Sequence, residues 1–279
     1  MRWAIPLLAL ALLGLTASCA RAPAAGGGIV STNPCADAML VALVPSSRIA
    51  AISHYSRDAA SSSIPIDVAR RFPTTAGTAE EVIALKPDLV VASSLTPAAT
   101  RAAYARAGLK VLTFDSPTTI AASEAQVRDL AAAVGAGAAG EAMVARIEEA
   151  LSKAVPSPLP GNGNRAAPSA LLFIAGDIAN GSGTLLDELM RRAGFSNAAA
   201  GYGLAFTGTL PIEAIVAHPP RVIISPGDGP TAALRRRVLD RIGAHVIEAD
   251  FPRRLMNCGG PVIVPALARL AAIRRSVGT

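Results

Sequence analysis

Glu80-Glu81-Val82-Ile83-Ala84-Leu85-Lys86-Pro87-Asp88-Leu89-Val90-Val91 has a second copy in this chain, Glu213-Ala214-Ile215-Val216-Ala217-His218-Pro219-Pro220-Arg221-Val222-Ile223-Ile224. Both copies run from an acidic residue through an apolar helical turn and an Ala to a Pro seven residues after the acid. An apolar strand follows. The separation of about 130 residues is far longer than the roughly 20–50 residues of solenoid repeats. It suits two lobes of one α/β protein, each carrying a glutamate at the same place.

The flanking sequence alternates in the way a parallel sheet with covering helices requires. Ile29–Thr32, Arg48–Ser53, Leu89–Ala92 and Val111–Phe114 read as strands. Helices are expected from the Asn33 cap with Pro34 at its first position and Asp37 in its first turn, from the Thr78-x-x-Glu81 capping box, and over Pro97–Ala107. Residues 54–75 are rich in Ser, Pro and Arg and read as a long loop with short helical pieces. Thr119–Val155 is mostly helical, interrupted at Gly135–Gly140, and reads as a long connecting helix, kinked or split there. After a Pro/Gly/Asn linker the alternation resumes. Strands are expected at Ala170–Ile174, Val222–Ser225 and His245–Ile247. Helices are expected from Thr184, over Pro211–His218, over Leu234–Ile242 and over Pro261–Arg275. The expected architecture is α/β, with two Rossmann-like lobes built on central parallel sheets, a bridging helix and a cleft between the lobes. The divisions are an export leader at 1–19, a tether at 20–28, a first lobe at 29–118, a bridging helix at 119–155, a linker at 156–168 and a second lobe at 169–279.

Composition supports a large core and narrows the function. The chain has 279 residues, 51% hydrophobic and 16% charged, with a net charge of +6. Its longest basic run is Arg235-Arg236-Arg237, with no interleaved aromatics, so the clustered stripe of a nucleic-acid binder is missing. Arg2 followed by the apolar run Trp3–Thr16 is an export leader, too short to span a bilayer that needs about 20 apolar residues. No later stretch reads as a transmembrane helix. Two cuts suit the small residues after the leader. One falls before Cys19, in a lipobox-like Leu15-Thr16-Ala17-Ser18-Cys19, and would make Cys19 a lipid anchor. The other falls after Ala20. Gly135-Ala136-Gly137-Ala138-Ala139-Gly140 matches the dinucleotide fingerprint in letters only, because a helical segment precedes it where a strand is required. No P-loop, H-E-x-x-H or G-x-S-x-G motif is present. His54, His218 and His245 have no Ser or Cys partner at a recognisable spacing, so a binding protein is expected rather than an enzyme.

The segments Ile29–Pro34, Arg48–Ser56, Glu80–Val91, Gly181–Asn197 and Glu213–Ile224, taken in order, resemble the periplasmic binding proteins of ABC importers for vitamin B12 and iron siderophores. The most specific stretch is Leu85-Lys86-Pro87-Asp88-Leu89-Val90. The resemblance implies a monomeric receptor that delivers a metal chelate to a permease dimer, with no cofactor of its own. It also implies that Glu80 and Glu213 dock on arginines of the two permease subunits. Ligands of open α/β sheets sit beyond the carboxyl ends of strands. The expected ligand-binding residues are therefore Asn33, Pro34, Cys35, His54, Tyr55 and Arg57 in the first lobe, with Phe206, Met256, Asn257 and Cys258 in the second. Asn33–Cys35 would offer a helix N-terminus to an anionic group. The chain departs from B12 binders in having Thr74 and Thr207 where tryptophans are expected, and Cys258 in place of an Arg. Cys35 and Cys258 admit three readings. One is a disulfide, as an exported protein permits; another is that they are small buried residues. As thiolates they would instead handle metal together with His54 and Met256, the chemistry of an exported metal- or haem-binding protein or metallochaperone.

Overall fold

The computed structural model describes residues 27–154, 167–227, 230–241, 243 and 245–277. The leader, Cys19, nearly all of the tether and most of the 156–168 linker lie outside the described residues. The first lobe runs β1 (Ile29–Ser31), α1 (Pro34–Leu43), β2 (Ile49–Ser53), α2 (Ile66–Ala69), β3 (Thr74–Thr75), α3 (Ala79–Ala84), β4 (Leu89–Ser93), α4 (Ala98–Arg106) and β5 (Val111–Phe114). Two helices follow, α5 (Ile120–Ala133) and α6 (Gly137–Ala154). The second lobe runs β6 (Ser169–Ala175), β7 (Ile178–Ala179), α7 (Leu185–Arg192), β8 (Ser196–Asn197), β9 (Gly208–Thr209), α8 (Ile212–Ala217), β10 (Val222–Ser225), α9 (Pro230–Arg241), β11 (Ile247–Asp250) and α10 (Ile263–Val277).

The first sheet is parallel throughout, in the order β3-β2-β1-β4-β5. The chain reverses direction across β1 and β4, which places a crevice beyond their carboxyl ends. In the second sheet β11-β10-β6 is parallel and β8 joins β6 in parallel. β7 and β9 extend it in antiparallel pairing, so this sheet is mixed where a parallel one was expected. The cause is local: β6 and β7 are joined by Gly176-Asp177, and Gly176 at φ 52° makes the tight turn that only an antiparallel pair can use. β11 pairs with β10 over Ile247–Asp250, slightly later than the sequence suggests.

The repeat lands on matching structure. Glu80 is the second residue of the six-residue α3, and Glu213 the second of the six-residue α8. Two positions on, Val82 and Ile215 are buried to 0% and 1% exposure, pinning each short helix on its sheet. Pro87 and Pro220 are buried at the entry to β4 and β10.

The connecting segment is split, not continuous. Gly135 takes φ 68°, a left-handed helix end that glycine adopts without strain. α5 and α6 then fold back along one another: Arg128 Nε lies 3.1 Å from Glu141, and Gly140 faces Ala131. α6 alone spans about 27 Å at 1.5 Å per residue. α10 lays the stripe Ile263, Ala266, Leu267, Leu270, Ile273 and Val277 inward, at the spacing of a helix with one buried face. One buried cluster runs from Ile29, Leu40 and Val91 through Leu130, Met143 and Ile147 to Leu172, Ile224 and Leu270. The two lobes therefore share a core.

A Cβ on Gly140 would lie 2.4 Å from that of Ala131, so the hairpin closes only because residue 140 has no side chain. Gly140→Ala and Ala131→Gly are expected to couple by about 1 kcal/mol or more in a denaturation double-mutant cycle, the Ala131→Gly background tolerating the alanine. Additive effects would contradict this packing.

Candidate functional site

Cys35 follows β1 and Cys258 follows β11, and the two are bonded to each other, with Cα atoms 5.1 Å apart. Cys35 lies just past the carboxyl end of β1, and Cys258 at the end of the loop that leaves the carboxyl end of β11, so this bond ties the carboxyl edges of the two sheets together. Polar ties reinforce it. Gly260 N donates to Ser123 Oγ at 2.7 Å, and Ile120 N to Glu188 Oε2 at 2.8 Å. A depression of about 340 Å³ opens between the lobes, lined by Ala59 of the first and by Pro226, Asp250, Pro252, Arg253 and Arg254 of the second.

None of the expected site residues lines this depression; they divide into residues buried in or tied to the lobes and residues exposed at the surface. Asn33 caps α1: its Oδ1 accepts from Cys35 N at 2.9 Å and Ala36 N at 3.4 Å. Pro34 is the first helical residue. That helix end is thus filled by its own side chain rather than left open for an anion. Met256 and Cys258 are buried, at 7% and 6% exposure, and belong to the core cluster. The disulfide withdraws both thiolates from the metal-handling reading, and burial withdraws the Met256 sulfur. Arg57 donates through Nη2 to the Phe72 carbonyl, so its guanidinium also braces the loop behind it. Asn257 is exposed.

The exposed rings are His54, Tyr55 and Phe206. Tyr55 is 51% exposed and Phe206 63%. His54 and Tyr55 open a single turn, His54–Arg57, with ring centroids 4.0 Å apart and planes tilted by 35°. His54 Nδ1 lies 3.2 Å from the Thr75 carbonyl oxygen. A carbonyl can only accept, so Nδ1 is the donor, and in the neutral imidazole this leaves the Nε2 lone pair free, the form in which an imidazole binds metal. Phe206 sits on the opposite lobe, its backbone pressed onto Gly181, where a Cβ would fall 1.6 Å from the Phe206 oxygen.

Glu80 and Glu213 are exposed, and neither makes a hydrogen bond or ion pair with another described residue. Each begins a helix that runs back to a parallel strand, so both lie at the carboxyl edges that the disulfide joins. The neighbouring Glu81 behaves differently. Its backbone N donates to Thr78 Oγ1 at 3.3 Å, but its carboxylate reaches back to Thr75 Oγ1 and Ala76 N, both at 2.7 Å. These bonds lower its pKa and tie α3 to β3 rather than closing the expected capping box.

The matched family model is that of the periplasmic binding proteins, over residues 29–241. The chain belongs to this family. Solved structures agree on the fold. The haem-binding protein RhuT of Roseiflexus sp. RS-1, in apo form, is 20% identical, with 89% of this chain and 99% of that one covered and a TM-score of 0.64. The haem-binding protein HutB of Vibrio cholerae is 16% identical, with 89% and 98% covered and a TM-score of 0.68. The vitamin B12 binding protein BtuF of the same organism is 17% identical, with 90% and 97% covered and a TM-score of 0.67. No curated protein matches the chain in sequence. Among the described residues, no helix is long and apolar enough to cross a membrane.

Three features of this periplasmic binding protein escape the sequence reading. Leu95, 85% exposed, stands past the carboxyl end of β4, where its neighbourhood reads only as a loop. Arg235 is 3% exposed, its guanidinium carbon 4.1 Å above the centre of the Phe173 ring; burial lowers its pKa. Asp37 is fully buried. Its Oδ2 accepts from Ser53 N at 3.0 Å and from Ser56 Oγ at 2.6 Å, and Oδ1 has no partner. Burial raises its pKa to about 7, against the pull of those bonds. The only hint in the sequence is an acid set among Ala36, Ala38 and Met39.

The Asp37 shift carries a sign. With a folded pKa above the unfolded value, its contribution to stability is full below about pH 4 and is lost as pH rises through about 7, roughly 4 kcal/mol in all. Asp37→Asn is expected to remove that part of the pH dependence. Urea denaturation at pH 5 and pH 8 tests this: the wild type loses more stability between the two than the variant, and equal losses would contradict it.

Proposed function

We propose that this protein is the extracytoplasmic receptor of an ABC importer and that its cargo is a planar metal chelate, an iron porphyrin first of all. The observation that carries the cargo is the His54–Tyr55 pair. An exposed phenol and an imidazole stand side by side just past β2, the imidazole Nδ1 at the Thr75 carbonyl, and the second lobe adds the exposed ring of Phe206. Imidazole and phenolate both ligate iron, and the rings offer apolar faces to a macrocycle. Arg254, with Arg253 beside the Ile174 carbonyl, supplies positive charge at the cleft for anionic substituents. A corrinoid suits the site less, because the only tryptophan is Trp3.

Delivery uses Glu80 and Glu213 as a matched acidic pair, one per lobe, meeting basic sockets on a two-fold permease. Residues 1–19 direct export, and a cut before Cys19 would leave the receptor lipid-anchored at the membrane. It acts as a monomer, and its domains follow the two sheets.

Hemin titration followed by visible absorption is expected to saturate at one porphyrin per chain, with Tyr55→Phe and His54→Ala each weakening affinity tenfold or more. Preference for cobalamin over hemin would overturn the cargo assignment. Glu80→Ala combined with Glu213→Ala is expected to abolish uptake in cells while leaving hemin affinity unchanged; undiminished uptake would remove the docking role.

A further inference from the structure

We infer that Asp37 is the positioning residue of the binding cleft, tying the turn that carries His54 and Tyr55 to the disulfide-bearing helix α1. The inference rests on the proposed cleft but concerns a group that touches no ligand.

The geometry is specific. Asp37 lies two residues from Cys35, within the first turn of α1. Its single oxygen Oδ2 takes a backbone donor, Ser53 N, and a side-chain donor, Ser56 Oγ. These two residues bracket His54 and Tyr55. Ser53 and Ser56 are buried, at 2% and 0% exposure, while the rings between them are exposed. The turn is therefore gripped from inside at both ends and free outside. Ser53 adds a local brace, its Oγ accepting from Tyr55 N at 3.4 Å.

The grip also has a fixed reference. α1 is bonded through Cys35 to Cys258 of the second lobe. The path from Tyr55 to the second lobe thus runs through the turn, Asp37, two residues of α1 and the disulfide, with no long loop between. A ligand held between lobes that move little needs both walls preset, because misplacement by about 1 Å is costly at such sites. A buried carboxyl with an oxygen left unpartnered is an expensive way to hold a turn. An apolar residue at position 37 would fill the space but could not receive Ser53 N and Ser56 Oγ.

The test compares Asp37→Ala and Asp37→Asn in the full exported chain, with hydrogen exchange of residues 53–57 and hemin titration as readouts. Asparagine keeps an acceptor for both donors. The expected result is exchange accelerated tenfold or more over 53–57 in Asp37→Ala, near wild-type exchange in Asp37→Asn, and hemin affinity lost in the first and kept in the second. If Asp37→Ala fails to fold, Ser56→Ala, which removes one donor, is expected to give a smaller acceleration in the same residues. Exchange over 53–57 that is unchanged in these variants, or hemin affinity unchanged despite a loosened turn, would overturn the inference. A wild-type protein that binds no hemin, with the exchange pattern as expected, would overturn the cargo reading while supporting the tie itself.

Discussion

The covalent link between Cys35 and Cys258 is the constraint on which the cleft depends. It closes a loop of 223 residues, for which chain entropy assigns a stabilisation of about 5 kcal/mol. Its position matters more than its energy. Each cysteine follows a strand, so the bond sets the carboxyl edges of two separate sheets against each other. The shared core, the Ser123–Gly260 bond and the Ile120–Glu188 bond work in the same direction. Two lobes that share a core and a covalent bond at the cleft have little freedom to hinge, so specificity must come from preset walls rather than from closure.

The cost of presetting is visible in the polar groups taken out of water. Asp37 and Arg235 are both buried, both leave an atom without a partner, and both have pKa values pushed toward neutrality by burial. Among the described residues neither makes a salt bridge of the kind that would merely staple a core. Asp37 holds the turn after β2. Arg235 reaches Ser225 Oγ and the Gly176 carbonyl, at the carboxyl ends of β10 and β6. Asp37 in the first lobe and Arg235 in the second thus each sit behind a carboxyl edge of their sheet.

Much of this was legible in the residues. The repeated Glu-to-Pro segment located two lobes and put each glutamate at the same helical position, because a six-residue helix entering a buried strand leaves few choices of phase. Asn33, Thr78 and Thr184 announced helix starts through their capping chemistry, and all three cap as expected. The strands β7, β8 and β9 were not legible: two residues show no alternation, and their pairing is imposed by a Gly176 turn and by neighbours distant in sequence. The split of the connecting segment at Gly135 was signalled by its glycines, but the fold-back needed the Gly140–Ala131 contact. Met256 looked like a cleft residue by position along the chain. Beside the disulfide its side chain packs into the core with Cys258 while Asn257 between them stays exposed, an effect of geometry that spacing does not encode. Asp37 read as an ordinary helix-start acid, since burial by the Ser53–Ser56 turn is a tertiary event.

A crystal structure of the hemin-loaded chain tests the central claim most directly. Porphyrin density is expected between the His54–Tyr55 turn and the Phe206 loop, with the Cys35–Cys258 bond intact and the two sheets placed as they are without ligand. Porphyrin bound elsewhere, or lobes rotated about the connecting helices to admit it, would contradict a cleft preset by the disulfide.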